Sequence, residues 1–146
     1  RSDIMDKHWN QVPHRFGMFG LDGRARPHYQ LWRMMRSLSG RQLVIESPYP
    51  DLHCLACVSE NVVQVMVANF NTRRGQSLVA DIWFSNLEPG VYQVLVERIN
   101  GRENLSRDGL QLDPIDLRDI STTGAWRYPL LLQANAVARV VLEKVK

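Results

Sequence analysis

The spacing of hydrophobic residues changes near Gly40, and the residues before it predict a strand followed by a helix. The apolar run at residues 16–21 predicts a short buried strand, and Asp22-Gly23 predicts a tight turn after it, because glycine adopts a positive φ without steric cost. A helix is predicted over residues 27–38, since Pro27 suits a first helical turn and apolar residues then recur at helical spacing. These apolar positions are Leu31, Met34, Met35 and Leu38, and Gly40 stands where a C-terminal cap is expected.

After Gly40 the pattern is that of short strands separated by turns. The near-continuous apolar run at residues 62–70 predicts a central strand that is buried on both faces. Alternation from Leu78 to Ser85 predicts a strand with one buried and one exposed face. The other predicted strands are 42–47, 52–58, 91–99, 128–133 and 136–145, and residues 104–124 are predicted to form a long irregular loop. Several short strands with turns between them indicate an antiparallel β-sandwich.

The chain is therefore predicted to contain two regions, residues 1–40 and residues 41–146. A single apolar strand with an amphipathic helix is half of a βα unit, and it lacks the parallel neighbours with which such a strand pairs. We interpret residues 1–40 as the last βα unit of a (β/α)8 barrel whose first seven repeats lie upstream of Arg1. The predicted fold class is mainly β: an antiparallel β-sandwich preceded by a strand–helix remnant of the barrel.

Composition and charge restrict the classes of partner. The chain has 146 residues, of which 45% are hydrophobic and 23% charged, as is ordinary for one globular domain. Its net charge of +3 is modest, and no basic run is interleaved with aromatic residues, so a nucleic-acid partner is not predicted. No apolar run approaches the roughly 20 residues that cross a bilayer, so no membrane span is predicted.

Cys54 and Cys57 form an isolated C-x-x-C pair, for which three interpretations are open. A redox pair needs a helix N-terminus to lower the thiol pKa, whereas these residues lie in a predicted strand. A structural zinc site needs four ligands, and His53 would supply only a third. We favour two structural thiols that point to opposite faces of a strand, and we predict neither a metal nor a cofactor.

Several motifs resemble a known family of enzymes. These motifs are S-D-I-M-D at residues 2–6, P-H-R-F-G-M-F-G-L-D-G at 13–23, R-P-H-Y-Q-L-W at 26–32, V-Q-V-M-V-A-N at 63–69 and N-A-V-A-R-V-V-L at 135–142. The first three resemble the end of the catalytic barrel of clan-A glycoside hydrolases, specifically the β-xylosidase and α-L-iduronidase family. The last two are similar to strands of the β-sandwich that follows the barrel in that family.

The resemblance implies where the chemistry would lie. The family places its acid/base glutamate after barrel strand 4 and its nucleophilic glutamate after strand 7, and both positions fall upstream of Arg1, so no catalytic residue is assigned here. Residues 2–14 are expected at the catalytic face, because barrel active sites lie in the loops after the strands. The implied substrate-binding residues are Asp3, Asp6, Trp9 and His14, with Trp9 as the candidate for stacking on a sugar ring.

The expected function follows from this resemblance. The chain is expected to be the C-terminal segment of a glycoside hydrolase that cleaves O-glycosidic bonds in a poly- or oligosaccharide, with the sandwich bracing the barrel. Its expected partners are the saccharide, bound through the missing barrel, and the rest of the same polypeptide. The segment alone is expected to be inactive, and the family favours a secreted or periplasmic location. The alternative is a stand-alone sandwich that binds carbohydrate or protein without catalysis.

Overall fold

A computed structural model describes residues 18–19, 23–70, 75–100, 110–120 and 124–145. Within these residues the chain forms helix α1 (Pro27–Ser37) and nine strands. The strands are β1 (Arg41–Gln42), β2 (Leu52–Ser59), β3 (Val62–Asn69), β4 (Leu78–Leu87), β5 (Gly90–Ile99), β6 (Leu110–Leu112), β7 (Asp116–Ile120), β8 (Gly124–Leu132) and β9 (Val137–Lys144). No helix in this described part is long and apolar enough to cross a membrane.

The strands form two antiparallel sheets of unequal size. The large sheet has the order β1-β2-β3-β9-β5, and the far edge of β5 is covered by β6 and β7 in succession. The small sheet pairs β4 with β8. Every strand pairing among the described residues is antiparallel, and the predicted antiparallel β-sandwich is confirmed.

The hydrophobic core lies between the two sheets. Alternation puts every second side chain of β4 and β8 on the inner face, where Phe84 and Leu130 are buried. The large sheet contributes mostly alanine and β-branched residues to this core. The buried core residues of the large sheet are Ala56, Val65, Val67, Tyr92, Val94, Val96, Ile120, Ala138, Val140 and Leu142.

Helix α1 packs on the opposite face of the large sheet. Met34 is buried there against Met66 of β3 and Ile99 of β5, and Leu31 and Leu38 pack around them. The described structure therefore has three layers: the helix, the large sheet and the small sheet. The central strand β3 is covered on both sides, as its near-continuous apolar sequence predicts.

The region between β5 and β8 corrects one sequence prediction. Residues 104–124 were expected to be an irregular loop, but their described part contains β6 and β7 along the edge of β5. Leu112 lies opposite Glu97 and Asp116 opposite Val94, so three residues of the edge segment (113–115) lie opposite two of β5 (95–96). Pro114 lies in this bulge, and because it has no N–H, it interrupts the ladder and divides one edge strand into two.

The connection from α1 to the sheet also differs from the prediction. The strand expected over residues 42–47 is only Arg41–Gln42, with one further backbone hydrogen bond from Leu43 N–H to Ala56 O at 2.9 Å. The helix ends at Ser37 with Leu38 as its C-cap, so Gly40 lies beyond the cap. Gly40 has φ +94°, and a Cβ there would lie 2.1 Å from Val58 O. Glycine is required at this position because the chain passes directly over the backbone of β2.

Only the middle of the apolar segment before α1 is described. Met18 O accepts a hydrogen bond from Arg26 N–H at 2.8 Å, and Phe19 pairs with Ala25 in an antiparallel bridge. Gly23 has φ +77°, as the predicted turn requires. Phe19 is exposed and contacts the ring of Tyr29 with a centroid distance of 4.7 Å, so the prediction of a buried strand is wrong at this residue. The remainder of residues 16–21 lies outside the described residues.

Candidate functional site

The four predicted substrate-binding residues lie outside the described residues. Asp3, Asp6, Trp9 and His14 all precede residue 18 and stay predictions. The boundary between the predicted regions 1–40 and 41–146 also stays a prediction. The candidate site that the described residues do present is the junction between helix α1 and the outer face of the large sheet.

Helix α1 has two different faces. Met34 is 1% exposed and anchors the inner face on the sheet. Trp32 and Met35 are large apolar residues of the same helix, yet Trp32 is 58% exposed and Met35 is also exposed. Large apolar side chains that remain in water on a short helix indicate a surface that a further layer of protein can cover. The helix is thus seated on the sandwich by one face and leaves the other open.

A buried ionic cluster lies beneath the same helix. Glu97 of β5 and Arg139 of β9 are cross-strand neighbours, and Arg139 Nε and Nη2 approach the Glu97 carboxylate at 2.7 Å and 2.5 Å. Arg33 of the helix donates to the other oxygen of Glu97 at 3.3 Å. One carboxylate therefore joins the helix to two neighbouring strands.

The cluster continues to the last turn of the helix. Arg139 Nη1 donates to Ser37 Oγ and, at 3.2 Å, to Gln64 Oε1. Gln64 Nε2 donates to Ser37 O at 3.3 Å, and Ser37 Oγ donates to Met34 O at 2.7 Å. Carbonyl groups at a helix C-terminus have no partner within the helix, and here side chains of the sheet supply one.

This geometry limits what the cluster can do chemically. Glu97 is buried and bonded to two guanidinium groups, so its carboxyl group has no free approach for a substrate. The hydrogen bonds of the cluster link the helix to strands β5, β9 and β3. The cluster sets the position of α1 on the sandwich, and it is not a catalytic site.

The sequence contains a weak signal of this cluster. Glu97 and Arg139 each follow an apolar residue within a β-strand pattern, which predicts either an exposed face or a buried pair. The choice between these requires the register that places Glu97 opposite Arg139, and that register follows from the pairing of β5 with β9. Sequence reasoning did not identify either residue.

The cysteines have the arrangement expected of structural thiols. Cys54 packs against the sandwich core, whereas Cys57 is buried on the opposite side of β2, and both are free thiols. Burial raises the pKa of the Cys54 thiol above its ordinary value of 9.0, which disfavours the reactive thiolate. No group of three or more potential metal ligands occurs among the described residues.

Comparisons with known proteins identify the fold. No family model and no curated protein sequence matches this chain. Among solved structures, the GH39 enzyme from Xanthomonas axonopodis pv. citri matches 91% of the chain with a TM-score of 0.76 and 16% identity, over 34% of its own length. The monomeric β-xylosidase from Caulobacter crescentus CB15 matches 90% of the chain with a TM-score of 0.71 and 15% identity, over 33% of its length.

A more distant match is the GH30 endoxylanase from Clostridium papyrosolvens C71. It covers 90% of the chain and 31% of its own length, with a TM-score of 0.57 and 14% identity. The chain thus spans about a third of the length of each of these glycoside hydrolases. The helix and sandwich described above have the fold of that third of a GH39 enzyme.

Proposed function

We propose that this chain is the C-terminal segment of a glycoside hydrolase that cleaves O-glycosidic bonds in a poly- or oligosaccharide. The observation that carries the proposal is the match to 91% of the chain by a GH39 enzyme that is about three times as long. The fold alone does not determine an activity, so the proposal also depends on the barrel-end motifs at residues 2–32.

The role proposed for the sandwich is to brace the barrel through helix α1. The helix would be the last of the barrel, and its exposed residues Trp32 and Met35 would contact the preceding part of the barrel. The buried face of α1 and the Glu97–Arg139 cluster would hold that helix in a fixed orientation. This arrangement would account for a helix that packs on the outer face of a sandwich that already has its own core.

The chemistry would be carried by the rest of the polypeptide. Hydrolysis of a glycoside uses two carboxyl groups that flank the scissile bond, and the resemblance places both upstream of Arg1. Asp3, Asp6, Trp9 and His14 would contribute to the rim of the substrate cleft. The segment alone is therefore proposed to be inactive, and a secreted or periplasmic location is proposed from the family.

The proposal is tested on the complete polypeptide encoded by the reading frame that contains this segment. The complete protein is expected to release nitrophenol from at least one member of a panel of nitrophenyl glycosides, whereas residues 1–146 alone are not. Activity of the isolated segment would contradict its proposed inactivity. A complete protein without barrel repeats, or one that cleaves no member of the panel or of a set of xylo-oligosaccharides, would contradict the proposal.

A substitution on the open face of α1 tests the bracing role. Trp32→Glu is expected to leave the unfolding midpoint of the 146-residue chain nearly unchanged, because this side chain is exposed there. In the complete protein the same substitution would bury a charge between helix and barrel and is expected to lower stability strongly. An equal, small effect in both proteins would show that Trp32 is not covered.

A further inference from the structure

The outer face of the small sheet carries a set of paired, exposed side chains. Trp83 of β4 lies opposite Arg127 of β8, and four residues earlier on β4, Val79 lies opposite Leu131. Trp83 is 64% exposed, and Val79 and Leu131 are also exposed. At about 3.3 Å per residue, these two pairs are separated by roughly 13 Å along the strands. We call the surface formed by Val79, Asp81, Trp83, Arg127 and Leu131 the Trp83 surface.

An ion pair lies between the apolar ends of the Trp83 surface. Arg127 Nη2 lies 2.9 Å and 3.0 Å from the two oxygens of the Asp81 carboxylate. Asp81 lies opposite Pro129. The proline side chain cannot form hydrogen bonds, so it does not compete with Arg127 for the Asp81 carboxylate. The pair neutralises its own charge and still presents guanidinium donors and carboxylate acceptors at the surface.

The strands beneath the Trp83 surface are attached to the core by aromatic packing and a hydrogen bond. On the inner face, the neighbouring residues Phe84 and Trp126 pack with a centroid distance of 5.6 Å, and Trp126 and Tyr128 with one of 5.7 Å. At the other end, Arg98 of the large sheet donates to Leu131 O at 3.2 Å. A ligand that binds here would therefore order few protein groups, which reduces the cost of binding.

These features have the chemistry of a carbohydrate-binding surface. The apolar C–H face of a pyranose packs against an indole ring, and its hydroxyl groups exchange hydrogen bonds with carboxylate and guanidinium groups. We propose that the Trp83 surface binds a chain of neutral pyranose sugars. The inference rests on the proposed function, which it deepens by giving the sandwich a contact with the polysaccharide that lies away from the helix–sheet junction.

The charge of the surface selects this ligand over others. Because Asp81 neutralises Arg127, the surface lacks the unpaired cationic groups that an acidic polysaccharide or a nucleic acid requires. The length of the surface, roughly 13 Å, suits an extended chain that contacts Trp83 at one end and Leu131 at the other.

The test measures binding of xylohexaose and cellohexaose to the 146-residue chain by isothermal titration calorimetry. Trp83→Ala is expected to weaken binding at least about tenfold, because stacking on the indole is lost. Trp32→Ala is the matched control, since it removes an equally large and similarly exposed indole from the helix, and it is expected to leave the affinity unchanged. Thermal unfolding of both variants verifies that each remains folded.

Two further variants separate the contribution of stacking from that of hydrogen bonding. Trp83→Phe is expected to retain part of the affinity, whereas Arg127→Gln is expected to weaken binding severalfold while Trp83 remains in place. Failure of the unmodified chain to bind either oligosaccharide at millimolar concentration would overturn the inference, as would equal losses in Trp83→Ala and Trp32→Ala. Because the readout is binding to this chain, such a failure leaves hydrolysis by the complete protein as a separate result.

Discussion

The large sheet binds the small sheet on one face and helix α1 on the other, and the interactions at the two faces differ. The face toward the small sheet is mainly apolar, with Ala138, Val140 and Leu142 of β9 fully buried against β4 and β8, and Arg98 at the end of β5 adds a hydrogen bond to Leu131 O. The face toward α1 combines a small apolar contact around Met34 with the ionic cluster of Glu97 and Arg139. The same strands, β5 and β9, supply both faces.

The two faces therefore contribute differently to the stability of the fold and to the orientation of helix α1. Apolar burial is non-directional and roughly proportional to area, so the sandwich face contributes most of the free energy of folding. A helix held by apolar contacts alone could rotate about them, whereas the hydrogen bonds from Arg33 to Glu97 and from Arg139 to Ser37 restrict its angle.

The largest expected effect tests the apolar face. Leu130→Ala removes a side chain that is 0% exposed and is expected to lower the free energy of unfolding by about 4 kcal/mol. Leu131→Ala is the matched control, because the neighbouring leucine is 51% exposed on the other face of β8, and its expected cost is below about 1 kcal/mol. Chemical denaturation measures the free energy of unfolding of both variants. Similar losses would show that the small sheet does not cover the hydrophobic core.

The next effect tests how closely the connection after α1 lies on the large sheet. Gly40→Ala places a Cβ against Val58 O in a backbone with positive φ, and its expected cost is about 3 kcal/mol. Gly23→Ala isolates the cost of positive φ, about 1 kcal/mol, since nothing lies within 4 Å of its Cβ. Gly124→Ala, which also meets nothing within 4 Å, is expected to be nearly neutral. Equal costs at positions 40 and 23 would contradict the close approach.

A smaller effect is expected from the ionic cluster. Glu97→Gln removes the charge that two arginines share and is expected to cost about 2 kcal/mol. The double variant Glu97→Leu/Arg139→Met is expected to recover most of this loss, because no charge is then left unpaired. Exchange of the amide hydrogens of α1 is expected to remain faster in the double variant than in the unmodified chain. Unchanged protection of the helix would show that the cluster does not orient it.

The sandwich could be predicted from the sequence because its signals are local. Alternation from Leu78 to Ser85 and the apolar run of β3 each identify a strand without knowledge of its partner. Strands β6 and β7 could not be predicted in this way, because Pro114 and several charged residues hide an edge strand that exists only through its pairing with β5.

The candidate site was harder to predict for the same reason. The Glu97–Arg139 pair depends on a register between strands that are about forty residues apart in sequence, and no local pattern encodes it. The pairing of Trp83 with Arg127 and the position of Asp81 likewise follow only from the structure. Local sequence patterns thus predicted strands of the sandwich. The ionic cluster and the Trp83 surface depend on contacts between strands that are distant in sequence.

The smallest expected effect comes from an ion pair at the surface, Glu88 with Lys144, which contrasts with the buried cluster. Lys144 Nζ donates to Glu88 at 2.9 Å, and this hydrogen bond and the charge of Lys144 lower the pKa of the Glu88 carboxyl below its ordinary value of 4.5. A lowered folded-state pKa contributes stability above the unfolded value, and that contribution is lost as the pH falls through the folded value.

The difference in unfolding free energy between the unmodified chain and Glu88→Gln is therefore expected to be small at neutral pH, to vanish in acid and to shrink in high salt. Denaturation across this pH range measures it, with Glu97→Gln as the comparison, whose cost is expected to persist in salt because Glu97 and its partner Arg139 are largely shielded from solvent. A Glu88→Gln difference that persisted in acid or in high salt would show that the exposed pair does not act through its charge.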